Sequence, residues 1–402
     1  MRLFFGGQAV SLVGTWMQSV ALQWLVWRTT GSEAALGTVA FLSQIPVLIL
    51  GAWGGSIADR LPRRKLVIAT QTAAALQAFA MAAVTFSGVV RPLHVYLLAA
   101  MLGVIWSFDI PARQALLADM AGEEFGNAIA LNSSVVNGAR LIGPALAGAI
   151  VAALGEGLCF FLNGVSYLAI IFSLFLMRFP PQPPAASRKG HLREGLRYAL
   201  ETPHARALLL MLSITSIFGM GYLALMPVFA DKVLGGGAGR MGWLLASSGV
   251  GALLGATTLL RMRGLAGLGR RVAWGSTMFA VGVIGFALSK NVWLSEGALG
   301  LTGFGFMLQL ASTNTLLQGL APPAFRGRIM GVFSSMFVGS APLGALASGW
   351  LAERMGAPRT ALIGGAITLA ASGVFHLALP GLRKIVLRDF PVQFAPQPES
   401  AV

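Results

Sequence analysis

Charge is scarce in this chain: Asp, Glu, Lys and Arg make up 11% of its 402 residues, where a soluble domain carries about 25%. That scarcity excludes an ordinary water-soluble fold. Cysteine is scarcer still. Cys159 stands alone, so neither an intramolecular disulfide nor a thiolate metal cluster is available. The four histidines, His94, His191, His204 and His376, are scattered, and none pairs with a second ligand at metal-binding spacing. A phosphate-binding loop is missing too, because the glycine-rich stretch from Gly235 to Arg240 lacks the Lys-Ser/Thr ending. The chain therefore reads as a non-enzyme with no cofactor and no metal. Any work it does must draw on an ion or substrate gradient.

What is present is hydrophobic length. Apolar residues make up 56% of the chain and its mean hydropathy is +0.74. A hydrocarbon core of ~30 Å needs about 20 apolar residues per helical span, and the sequence offers about twelve such runs. They are Leu3–Trp27, Leu36–Ala58, Leu66–Val90, Val95–Leu117, Ile129–Leu154, Leu158–Met177, Ala207–Phe229, Met241–Leu260, Val272–Leu288, Val292–Leu317, Ile329–Leu351 and Ala361–Leu379. They lack polar alternation and exceed the ~10 residues of a barrel strand, so the expected fold is all-α and membrane-integral. The first run is too long for a signal-peptide core and is expected to stay as a helix.

The net charge of +15 invites a polyanion partner, but its placement gives a simpler reason. Arg60, Arg63, Arg64 and Lys65, the cluster from Arg178 to Arg206, and Arg383, Lys384 and Arg388 all fall in segments on one side. That is the positive-inside pattern. It predicts a multi-pass protein of the cell inner membrane with both termini cytoplasmic, and no nucleic-acid partner.

The stretch from Gly103 to Gly155 recurs half a chain later, from Gly303 to Gly356. Leu116-Leu117 matches Leu316-Leu317, Ser134 matches Ser334, and Gly138, Gly143 and Gly148 match Gly339, Gly344 and Gly349 after a one-residue slip. Between the copies, Phe179-Pro180-Pro181-Gln182-Pro183-Pro184 cannot continue a helix. The predicted organisation is an N-terminal six-helix bundle over 1–178, a cytoplasmic linker over 179–206, a C-terminal six-helix bundle over 207–388, and a disordered tail over 389–402. In the linker, Leu192, Leu196, Ala199 and Leu200 share one helical face against Arg193, Glu194, Arg197 and Glu201. This predicts an amphipathic helix strapped to the inner lipid headgroups.

Six spans, a basic linker and six more spans resemble the major facilitator superfamily. The loop Gly55-Ser56-Ile57-Ala58-Asp59-Arg60-Leu61-Pro62-Arg63-Arg64-Lys65 is similar to that superfamily's signature, with Pro62 where glycine is usual. Asp59 ends an outside-to-inside helix, at the unfavourable negative end of its dipole, and the N-terminus of the eleventh span near Gly327 would stabilise it. The resemblance implies that Asp59 latches the two halves there, and that Arg63 contacts Asp119. Further stretches, Asp109-Ile110-Pro111-Ala112-Arg113, Asn127 to Ser133 and Arg140 to Gly148, resemble the drug-efflux and enterobactin-exporter-like branch, the transmembrane secretion effectors. Gly143-Pro144 would bend the fifth span. It resembles the superfamily's antiporter motif, which points to export, although Ala147 stands where that motif often has glycine.

Asp109 and Arg113 lie one helical turn apart with Trp106 on the same face, and Ser133, Asn137, Arg140 and Pro144 form a stripe on the fifth span. Charge at a helix centre costs roughly 2.5–3.5 kcal/mol on insertion scales. These three charges are therefore expected to line a cavity or to pair with one another. Asp109 as proton carrier, a structural Asp–Arg pair, and direct substrate contact by Arg140 all stay open. An adjacent arginine favours the charged carboxylate, while burial favours the neutral one. Trp16, Gln18, Trp106, Asn137, Tyr222, Gln309 and Asn314 are the expected cavity wall, sparse enough in polar groups to fit a bulky, partly apolar substrate. The resulting expectation is a monomeric secondary-active exporter of small amphiphilic molecules, driven by protons and in contact with membrane lipids. A lipid flippase or a non-transporting membrane sensor is the alternative.

Overall fold

The computed structural model describes residues 2–121, 124–177, 192–260, 265, 267–322 and 325–389. The proline-rich connection from Phe179 and the tail from Pro391 lie outside these residues. The described chain is helical almost throughout. Its first half forms α1 (Arg2–Thr30), α2 (Glu33–Arg60), α3 (Arg63–Phe86), α4 (Pro92–Ala121), α5 (Phe125–Leu154) and α6 (Glu156–Leu176). A short helix α7 (Leu192–Glu201) follows. The second half begins with α8 (Pro203–Ile214) and the three-residue α9 (Met226–Val228). It continues with α10 (Gly237–Leu260), α11 (Leu268–Leu288), α12 (Val292–Leu320), α13 (Arg326–Met355) and α14 (Ala357–Asp389). Eleven helical stretches among the described residues are long and apolar enough to cross a membrane. The tenth apolar run is a helix of matching length, α12, but Ser312, Thr313 and Gln309 on its buried side make it more polar.

The repeat read from the sequence has a local structural signature. Its two copies end at Gly155 and Gly356, and both residues adopt positive φ, at 84° and 86°. Each closes its helix by donating its N–H to a carbonyl four residues back, that of Val151 or Ala352. A side chain at either position would strain that turn, which lets the next helix start at once.

The sequence halves meet through two crossings that are equivalent under the repeat. In one, α5 lies on α10: a Cβ built at Gly148 would sit 2.8 Å from the Gly242 Cα. In the other, α13 lies on α2: a Cβ built at Gly349 would sit 2.7 Å from the Gly37 Cα. Small residues let the backbones touch, which matters in lipid, where apolar burial does not drive helices together. Both crossings lie toward one end of the molecule, here called the far end. The opposite end carries α7 and the starts of α3, α8 and α13.

The linker helix, α7, is anchored by protein contacts on one face. Leu196 and Leu200 are exposed, while Gly195 and Ala199 are buried. The helix packs on the start of α13, with Tyr198 stacked on Phe325 at 5.2 Å and Glu194 paired with Arg328 at 2.6 Å. Gly195 makes this possible, because a Cβ there would lie 2.8 Å from the Arg328 carbonyl oxygen. Protein contact therefore fixes the helix, and the two leucines are what it leaves outward.

Candidate functional site

Between the crossings and the linker end, the first half of α5 and the first half of α13 stand apart. Asn127, Ser133 and Ser134 on α5 are exposed, as are Ser334 and Ser335 on α13. Polar side chains exposed along helices this apolar face a wet cleft more readily than lipid. The glycine crossings bring the halves together at the far end, so the space between these two half-helices lies toward the linker end.

Arg140 lies near the closed end of this cleft. It is half-buried, and its guanidinium sits over the Trp16 ring at 5.6 Å. No carboxylate pairs with it among the described residues. A cation–π contact gives about 0.5–2 kcal/mol, against roughly 2.5–3.5 kcal/mol for charge at a helix centre. The balance leaves a cation suited to water or to an anionic ligand group. Gly143 supports this arrangement by bringing α5 onto α1, since a Cβ there would lie 2.5 Å from the Trp16 Cβ. α5 runs unbroken through Gly143 and Pro144, so close approach, rather than an interrupted helix, is the visible use of this pair.

Tyr222 belongs to a break that the apolar pattern concealed. The seventh run is not one α-helix: after α8 it passes through a π turn (Thr215–Gly219), a 3-10 turn (Met220–Leu223), α9 and a second π turn (Phe229–Val233). Such irregular turns inside spans mark functional positions. The signal available in sequence was Gly219-Met220-Gly221 followed by Pro227. Gly221 and Gly344 also let α13 press on this segment, and a Cβ at Gly344 would lie 2.1 Å from the Ile217 carbonyl oxygen.

Asp109 has a different environment from Arg140. It is 1% exposed and pairs with Arg113. Its Oδ1 accepts hydrogen bonds from the Thr70 hydroxyl at 2.7 Å and the Gln71 amide at 2.8 Å. The carboxylate faces α3, so the stripes on α4 and α5 do not meet through it. Trp106 packs near it, against the α3–α4–α6 core.

Several expected wall residues turn inward. Gln18 is buried and bonds Gln77 at 3.0 Å and Asn163 at 2.8 Å, tying α1 to α3 and α6. Gln309 is fully buried and bonds Thr215 at 3.0 Å. Both satisfy their amides within one half of the chain, which in lipid is worth more to them than a wet wall. Asn137 donates to the Ser133 carbonyl at 2.8 Å, and Asn314 accepts from Gln318. Both remain partly accessible. The structure thus brings Trp16 and Arg140 together, buries Tyr222 against Phe279 and Phe286, and leaves Gln18 and Gln309 out.

At the linker end, Arg63 pairs with Asp119 and Arg64 donates to the Phe175 carbonyl at 3.3 Å. Arg60 and Asp59 are exposed, Gly55 has open space beside it, and Asp59 has no ion-pair partner among the described residues. At the far end the counterpart position is occupied. Glu353, near the end of α13, accepts from the Ser32 hydroxyl and the Ala34 N–H, both at 2.9 Å, and so caps the start of α2. Trp27 donates to Asp231 across the halves at 2.9 Å.

Eleven apolar helices among the described residues, each long enough to span a bilayer, make this a membrane protein, and its family and relatives make it a transporter rather than an enzyme. The chain belongs to the transmembrane secretion effector family of the major facilitator superfamily, whose sequence model matches residues 1–393. It is 26% identical over 384 residues to the staphyloferrin A transporter of Staphylococcus aureus, covering 93% of this chain and 95% of that one. It is 27% identical over 398 residues to the multidrug efflux pump Tap of Mycolicibacterium fortuitum, covering 94% and 95%. A bacterial homologue of the iron transporter ferroportin, solved in an inward-facing state, shares the fold with a TM-score of 0.71 at 18% identity, covering 94% of this chain and 97% of that one.

Proposed function

We propose that this protein is a twelve-helix secondary-active exporter in which two six-helix bundles alternate access to a central site, with protons as counter-ion. Relatives named for a siderophore and for drugs support small amphiphilic cargo. The observation that carries the reading is Arg140, a cation without a carboxylate partner among the described residues, held over the Trp16 ring where α5 adjoins α1. With the linker end cytoplasmic, as the basic clusters there favour, the arrangement is ready to load from inside. Arg140 would hold an anionic group of the cargo, while Trp16 packs its apolar part.

This reading is tested in proteoliposomes with carboxyfluorescein and ethidium as anionic and cationic probes. A hydrogen bond to a charged group is worth about 1.5–3 kcal/mol, so Arg140→Gln should slow carboxyfluorescein export by about ten- to hundredfold. If wild type exports neither probe, the transporter reading loses its support. If Arg140→Gln exports carboxyfluorescein at the wild-type rate, the anion contact is wrong.

The two ends of the α2–α13 pair supply the alternation. Each helix carries one carboxylate near its C-terminus, suited to cap the N-terminus of the other. Glu353 is engaged on α2, and Asp59, exposed at the end of α2, has no ion-pair partner among the described residues. Capping of this kind contributes about 0.5–2 kcal/mol, enough to bias two states without locking either. Glu353→Gln should favour opening of the far end and Asp59→Asn should favour the present state, each slowing turnover several-fold with cargo affinity nearly unchanged. Wild-type turnover in both variants would remove the caps from the mechanism.

A further inference from the structure

A second cleft, sharing no residue with the Arg140 site, lies at the linker end between α8, α11, α12 and α14. Its volume is about 550 Å³. Leu316, Leu320 and Leu379 make its apolar floor, and Arg270, Arg383 and Lys384 stand on its rim. The three cations are exposed and form no ion pair among the described residues, and no carboxylate lines the cleft. The first turn of α11 adds its N–H groups at the same level, because its N-cap, Gly267, offers no side-chain cap.

We propose that this cleft binds an anionic phospholipid, with one acyl chain on the leucine floor and the phosphate on the Arg270–Arg383–Lys384 rim. The position argues for lipid over soluble cargo. The cleft lies where four spans end, at the level of the headgroups, and its mouth joins apolar surface to positive charge. Topogenic positive charge alone needs no apolar pocket beneath it. Three basic groups near the surface favour an anionic over a zwitterionic headgroup by roughly a hundredfold. The proposal is independent of what the protein exports.

The test is thermal unfolding of the purified full chain in neutral detergent, with dioleoyl-phosphatidylglycerol, dioleoyl-phosphatidylcholine or inorganic phosphate added. Phosphatidylglycerol should raise the midpoint by several degrees, and the other two should leave it nearly unchanged. The variant R270Q/R383Q/K384Q should keep its lipid-free midpoint and lose most of the increment. Arg383→Gln alone should lose part of it, which keeps the test usable if the triple variant folds poorly. R60Q/R64Q/K65Q, removing three charges at the α2–α3 loop, should keep the increment. An equal effect of phosphatidylcholine, a full effect of phosphate alone, an undiminished increment in the rim variants, or an equal loss in the loop variant would each overturn the proposal.

Discussion

Gly349→Leu is expected to reduce transport to below about a tenth of wild type while leaving the protein folded. A Cβ at this position would lie 2.7 Å from the Gly37 Cα, 2.8 Å from its nitrogen and 2.6 Å from the Glu33 carbonyl oxygen. All three are backbone atoms, so no rotamer change can make room, and α2 and α13 must separate. Apolar burial does not pull them back, because lipid tails solvate leucine as well as a helix face does. The far end should then stay open. Labelling of Thr38→Cys by an impermeant maleimide from that side, in a Cys159→Ser background, should rise accordingly. Gly51→Ala on the same helix is the control, because a Cβ there meets nothing within 4 Å. Normal transport by Gly349→Leu would mean that this crossing is not the seal.

Asp109→Asn should abolish gradient-driven transport and also lower thermal stability. Removing one partner of a buried ion pair typically costs about 3–5 kcal/mol, because the other charge is left uncompensated. Here that charge is Arg113, and Thr70 and Gln71 can still bond to the asparagine oxygen. Stability alone thus cannot tell a structural pair from a proton carrier. The double variant Asp109→Asn/Arg113→Gln can, since it removes both charges together. It should regain most of the lost stability and still fail to respond to an imposed proton gradient. If it regains the gradient response as well, Asp109 is structural only and coupling lies elsewhere.

The class of fold was legible because membrane thickness sets the length of a span, and run length survives any error about faces. The repeat was legible for a similar reason: glycines whose size is needed at a crossing keep their spacing, and Gly148 and Gly349 make equivalent contacts. The site was only partly readable. Arg140 and Trp16 stood out by type, but the direction of a polar residue within a span depends on its neighbours. Gln18 and Gln309 looked like cavity groups and instead found amide and hydroxyl partners within their own halves. Asp109 and Arg140 shared a depth but not a direction. The seventh run hid its break because hydropathy averages over the glycines and the proline that cause it. The linker helix was placed by its leucine stripe, while Gly195 and Tyr198 decided its contact.

If the two halves alternate as proposed, the glycine crossings also bear on rate. Backbone-to-backbone contact through hydrogen atoms buries little area, so the glycine crossings themselves add geometric fit more than buried surface. A turnover near ~10 per second leaves about 16 kcal/mol for the whole barrier. Every favourable contact at the seal that is lost before the transition state adds to that barrier. On the proposed reading, paired glycines at these crossings close the path to solutes with few side-chain contacts to break on reopening.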